Sequence, residues 1–222
     1  MMPPIALAAR LAEEQLATRI WRRDAGAFAG ANAQTSQATA IQQRLGWLDA
    51  PEVAGMWIDD LAAFAAEIRA DHLHEVYLLG MGGSSLCAEV LRDVPAARSD
   101  ACDLTVLDTT DEHAIRQATE SLRSKHALFI VASKSGSTIE VASLEQHFWQ
   151  VMRDAGVADP GHHFVAITDP ETALGTLAAK RGYRRTFVNA PDIGGRYSAL
   201  SLFGLVPAAL LGLDLPTLVE SA

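Results

Sequence analysis

The chain has 222 residues, 27 acidic and 18 basic, giving a formal net charge of −9 at pH 7. That length suits one large α/β domain with helical additions, and 49% hydrophobic with 20% charged residues is the composition of a soluble globular protein, not a disordered or fibrous one. The negative charge, with no Lys/Arg cluster, excludes a nucleic-acid partner; an anionic ligand has to be held by local groups such as helix N-termini and hydroxyls.

Residues 1–8 are apolar, but no basic region precedes them and acidic residues soon follow, so no cleavable signal is expected. Over the first seventy residues Ile5, Leu11, Leu16 and Ile20 recur at helical spacing, and a second helical run covers 53–68. The Ala- and Gly-rich stretch between Asp24 and Ala40 predicts a loop, with further breaks at Gly46 and Pro51. Residues 1–72 thus read as a helical preface to a domain spanning 73–222.

From His74 the pattern changes. Short aliphatic runs at 76–79, 104–107, 128–132, 164–167 and 186–188 are each followed by a polar or glycine-containing loop and, for most, ten or more helix-forming residues. Fully apolar strands of this length suit a parallel sheet covered on both faces, so the predicted fold is α/β: a doubly wound, five-stranded parallel sheet. The late apolar stretch 200–213 is interrupted by Gly204, Pro207 and Gly212 and is too short to cross a bilayer.

Ligands of such sheets bind where strand ends meet helix N-termini, which singles out three loops. Gly80-Met81-Gly82-Gly83-Ser84-Ser85-Leu86 lets backbone approach a ligand, with Ser84 or Ser85 adding a hydroxyl. It serves equally as a tight turn. It also matches the start of a dinucleotide fingerprint, with Asp108 near the end of the next strand, although Ser85 replaces the third glycine and the acidic cluster around Asp111 is explained as an N-cap.

Ser133-Lys134-Ser135-Gly136-Ser137-Thr138 crowds four hydroxyls at the start of a helix predicted over 139–152, where the dipole favours a phosphate monoester. Ser137 and Glu140 have capping-box spacing, but capping needs one hydroxyl, not four. Lys134 is expected to contribute its backbone amide more than its charge. Asp192-Ile193-Gly194-Gly195-Arg196-Tyr197-Ser198 presents an arginine at the same edge, as a surface ion-pair partner or as a stabiliser of negative charge.

Cys87 and Cys102 lack metal or redox spacing, which points to a reduced, cytoplasmic protein with unreactive thiols; a nucleophilic Cys87 near a helix start is the alternative. His72, His74, His162 and His163 fall at strand beginnings, away from the binding edge, so no metal site and no cofactor is expected.

Taken in order, the three loops resemble phosphoglucose isomerase: Gly80 to Ser84 its first glycine-serine loop, Ser133 to Thr138 its phosphate loop, and Gly194-Gly195-Arg196-Tyr197-Ser198 its GGRxS signature. The first two are shared by sugar isomerase (SIS) domains in general; the third is the most specific. Trp21-Arg22-Arg23-Asp24 and Arg44-Leu45-Gly46-Trp47-Leu48 resemble the isomerase portion of transaldolase/phosphoglucose isomerase fusions. Ser135-Gly136-Ser137 departs from the more usual Thr-Phe-Thr, keeping the hydroxyl chemistry but leaving the set of phosphate contacts open.

The resemblance implies an SIS-type, flavodoxin-like sheet. It implies phosphate contacts from Ser133, Lys134, Ser135 and Thr138, substrate contacts from Gly83 and Ser84, and a catalytic electrostatic role for Arg196. The implied reaction interconverts glucose 6-phosphate and fructose 6-phosphate through an enediolate, with the base, a ring-opening histidine and a lysine on a second SIS domain beyond Ala222. A non-catalytic sugar-phosphate-binding module, or a nucleotide-binding domain, is the alternative, and homo-oligomerisation is left open.

Overall fold

The structure, a computed structural model, describes residues 12–13, 15–29, 35–95 and 99–222; Ile5, Leu11 and the 1–8 stretch lie outside them. The described N-terminal region is helical, with α1 Leu16–Trp21, α2 Gly26–Ala29, α3 Thr35–Gln42, α4 Ala50–Gly55 and α5 Ile58–Ala70. The loop predicted between Asp24 and Ala40 therefore contains two helical segments. The Asp24 carboxylate accepts the Gly26 N–H at 2.8 Å and starts the first of them, and alanines then favour helix over loop. Pro51 likewise starts a helix rather than ending one, because α4 has it in its first turn.

The sheet strands are β1 Glu75–Gly80, β2 Asp103–Leu107, β3 Ala127–Ala132, β4 Phe164–Thr168 and β5 Arg185–Val188. Among the described residues they form one five-stranded sheet in the order β2-β1-β3-β4-β5, with every neighbouring pair parallel. The fold is the doubly wound α/β sheet that the apolar runs predicted. All six residues of β3 are buried, which explains why that run carries no polar alternation.

Each sheet face has its own core. The side chains of Val76, Leu78, Leu128, Ile130 and Val165 pack with α5, with α6 (Leu86–Arg92) and with α10 (Leu202–Leu210). Tyr77, Leu79, Phe129, Val131 and Phe164 pack under α7 (Glu112–Ser121), α8 (Ile139–Asp154) and α9 (Ala173–Arg181). Every residue of α10 is buried, so this helix has no solvent face to make polar. A short α11, Leu215–Glu220, follows it.

The preface helix α5 docks beside β5. Phe64 meets Phe187 edge to face with ring centroids 5.0 Å apart. Arg185 pairs with Asp60 at 2.5 Å, and Arg184 with Glu67 and Asp71 at 2.5 and 2.8 Å. This brings the N-terminal helices to the side of the sheet from which the arginine loop emerges.

Candidate active site

All three loops singled out by sequence leave the carboxyl edge of the sheet, after β1, β3 and β5. Gly80 pairs in register with Ala132, so the first two begin side by side. In the order β2-β1-β3 this is the point where successive connections depart to opposite faces, and such a point leaves a crevice at the strand ends.

The 133–138 loop is held by its own hydroxyls. Ser133 is buried, and its Oγ lies 3.0 Å from Thr138 Oγ1, closing the loop on itself. Gly136 turns the backbone at φ +65°, where a Cβ would also fall 2.5 Å from the Thr172 Cβ, so glycine is needed for both conformation and space. Ser137 donates its N–H and its hydroxyl to Ser135 Oγ, at 3.3 and 3.0 Å.

The capping box predicted between Ser137 and Glu140 does not form. The N-cap of α8 is Thr138, and no side chain of the described residues caps the helix; the Thr138 hydroxyl faces Ser133 and that of Ser137 is turned to Ser135. A sixteen-residue helix thus presents uncapped first amides and the positive end of its dipole to a hydroxyl-lined loop. Ser135 is exposed there, while Ser133 is buried.

Lys134 uses its charge to brace the edge. Its Nζ donates to Asp169 Oδ2 at 2.5 Å and to the Pro191 carbonyl at 2.8 Å, tying the β3 loop to those after β4 and β5. Asp169 Oδ1 is buried and, among the described residues, has no hydrogen-bond partner, so the lysine on Oδ2 is what offsets the desolvation of this carboxylate there.

The arginine loop is packed directly on the first glycine loop. A Cβ at Gly83 would lie 2.5 Å from the Gly195 carbonyl oxygen, and Ser198 Oγ sits within 2.8 Å of the Gly83 carbonyl and 2.7 Å of the Gly195 carbonyl. Gly83 therefore serves loop packing as well as any ligand. Ser84 closes the turn before α6, its N–H donating to the Met81 carbonyl at 3.1 Å. Arg196 is exposed and, among the described residues, makes no hydrogen bond or ion pair.

Arg196 and Lys134 line one open cleft of about 640 Å³ together with Arg44, Asp192 and Tyr197. Ser84, Ser133, Ser135 and Thr138 lie on the same edge but outside the lining of that cleft. Sequence reasoning used Arg44 only as part of a resemblance and did not place it at the site. No local signal could have done so, because its position depends on the preface packing against the arginine loop.

The remaining residues fall away from this edge or into structural roles. His72, His126 and His163 sit near strand beginnings, with His126 and His163 at hydrogen-bond distance from the His72 and Ala127 carbonyls. Among the described residues no group of His, Cys, Asp and Glu is arranged to hold a metal ion. Asp111 caps α7 through the Ala114 N–H at 3.0 Å. Burial pushes the Cys87 thiol above its ordinary pKa, which opposes the nucleophilic alternative.

A doubly wound sheet with a hydroxyl-rich helix start and a GGRxS loop at one edge defines a domain of the sugar isomerase type. The chain belongs to the phosphoglucose isomerase family: the model described as phosphoglucose isomerase matches residues 36–219. Similar relatives include glucose-6-phosphate isomerases of Campylobacter jejuni, 34% identical over 157 residues, and of a Cyanothece strain, 29% identical over 195 residues. These alignments cover 68% and 79% of this chain, but the chain spans only 37% of each relative's length.

Among solved structures, a hypothetical protein of Thermus thermophilus superposes with a TM-score of 0.76 and 28% identity, covering 98% of this chain and 48% of that one. A glucose-6-phosphate isomerase of Chlamydia trachomatis gives a TM-score of 0.64 at 25% identity, covering 92% and 36%. No helix of the described residues is long and apolar enough to cross a membrane.

Proposed function

We propose that this chain is the phosphate-binding half of a glucose-6-phosphate isomerase, interconverting glucose 6-phosphate and fructose 6-phosphate through an enediolate once a second SIS domain supplies the base. The observation that carries the reading is the start of α8. Four hydroxyls surround it, yet none caps it, leaving its amides and dipole for an anion. Ser133, Ser135 and Thr138, with the Lys134 backbone, take the phosphate; Gly83 and Ser84 approach the sugar from the adjacent loop.

Proton transfer between adjacent carbons places negative charge on an oxygen, and a preorganised cation lowers the barrier by meeting that charge as it develops. Arg196 fills this role because its guanidinium is not committed to any carboxylate of the described residues. The phosphate loop fixes the substrate so that the base meets the correct proton. Leu86, Ile139 and Tyr197 are 57%, 74% and 55% exposed at this edge, and apolar side chains in that setting suit the docking of the second domain.

Calorimetric titration of this chain with both sugar phosphates and with plain glucose tests the reading. The phosphorylated sugars are expected to bind and glucose not to. Ser135→Ala should weaken the phosphorylated ligands by about tenfold, the worth of one hydrogen bond to a charged group. Equal binding of glucose, or no effect of the substitution, would remove the phosphate assignment; turnover by this chain alone would place the base within it.

A further inference from the structure

The loop carrying Arg196 is held from outside the sheet by the segment 44–48. Leu45 and Ile193 form an antiparallel bridge, and the Gly46 N–H donates to the Asp192 carbonyl at 3.0 Å. Beyond the bridge the Trp47 ring stacks on Tyr197, with centroids 5.3 Å apart and planes 20° apart. Arg23 pairs with Asp49, and its second guanidinium nitrogen lies 3.9 Å from the Asp192 carboxylate. The preface segments 21–24 and 44–48 thus converge on one turn.

The inner side of that turn is fixed by Ser198 and Gly83, as described above. Arg196 has no side-chain partner among the described residues, so its direction is set by the backbone between these two attachments. Tyr197, its neighbour, is 55% exposed; its ring stacks on the tryptophan and its N–H donates to the Gly194 carbonyl at 2.9 Å.

We infer that Trp47 is a positioning residue for the isomerisation: by stacking on Tyr197 it fixes the 194–197 turn and thereby the place of the Arg196 guanidinium. The inference rests on the charge-stabilising role proposed for Arg196. Displacement of a transition-state group by a fraction of an ångström lowers turnover without weakening substrate binding to the same degree.

In the complete isomerase polypeptide, Trp47→Ala is expected to lower kcat by about ten- to a hundredfold while KM for fructose 6-phosphate stays within about twofold. Trp47→Phe, which keeps a stacking ring, should restore most of the rate. Tyr197→Leu, on the exposed partner, should reproduce the loss with no change in the core. In an Arg196→Ala background Trp47→Ala should have no further effect. Unchanged kcat, a loss confined to KM, or equal losses in both backgrounds would overturn the inference.

An Arg196→Ala protein with normal kcat would instead mean that the proposed role of Arg196 is wrong. Hydrogen exchange then decides the clamp by itself. Trp47→Ala should speed exchange of the 194–197 amides and leave β3 protected, and unchanged exchange there would refute it.

Discussion

Gly83 and Gly195 show how much of this site depends on the absence of a side chain. Their loops come from opposite ends of the domain and meet backbone to backbone. An added Cβ at Gly83 would lie 2.5 to 2.7 Å from three backbone atoms of Gly195, none of which can rotate away. Gly83→Ala should therefore destabilise the fold by about 1–3 kcal/mol, the usual cost of overpacking. In the complete polypeptide it should also lower the proposed isomerase turnover, because relief comes from moving the arginine loop. Urea unfolding and a coupled assay read the two effects, and an unchanged midpoint would show that the loops separate freely.

At the scale of elements, α8 and α9 are joined by a carboxyl group buried on the sheet face that they cover with α7. Glu145 is 2% exposed. Its Oε1 accepts from Arg181 and from the Tyr183 hydroxyl, the latter at 2.5 Å, while the Arg181 guanidinium lies 4.5 Å from the Trp149 ring centroid. Burial, followed by the adjacent carboxylate, drives the Tyr183 pKa far upward, so the phenol stays a donor. Glu145→Ala removes the acceptor from two part-buried donors and should cost about 3 kcal/mol, at the low end for a broken buried pair because Arg181 keeps some exposure. Glu145→Gln, which keeps an acceptor, should cost less. Thermal unfolding of the three proteins checks the order, and equal stability of all three would mean the network contributes nothing.

Across the whole molecule the core on the α5, α6 and α10 face joins sheet, preface and C-terminal helices, and Cys102 lies at that junction. Its N–H donates to the Leu210 carbonyl at 3.0 Å, and burial pushes its thiol up to about 11 from an ordinary 9.0. The unfolded chain releases this proton once pH passes about 9, whereas the folded chain holds it until about 11. The unfolded state therefore binds fewer protons in that window, and stability present below pH 9 is lost as pH rises through it. The urea midpoint should fall between pH 9 and about 11, and fall less for Cys102→Ala; an identical fall would assign the loss to other groups, the buried Tyr77 among them.

By itself the sequence determined the α/β sheet, its five strands and the three loops at its edge. A short apolar run such as 128–132, closed by a polar, glycine-containing loop, suits a strand buried on both faces, and glycines with hydroxyls after such runs mark the ligand-facing turns of a parallel sheet. The family resemblance, too, was carried by contiguous residues. Tertiary structure alone decided what each group faces. Thr138 and Ser137 spend their hydroxyls on neighbours and leave α8 uncapped, Lys134 is drawn to Asp169 and Pro191, and Trp47 reaches Tyr197 from the far end of the chain. Such partners are chosen by packing between segments far apart in sequence, and the local periodicities that reveal helices and strands carry no information about them.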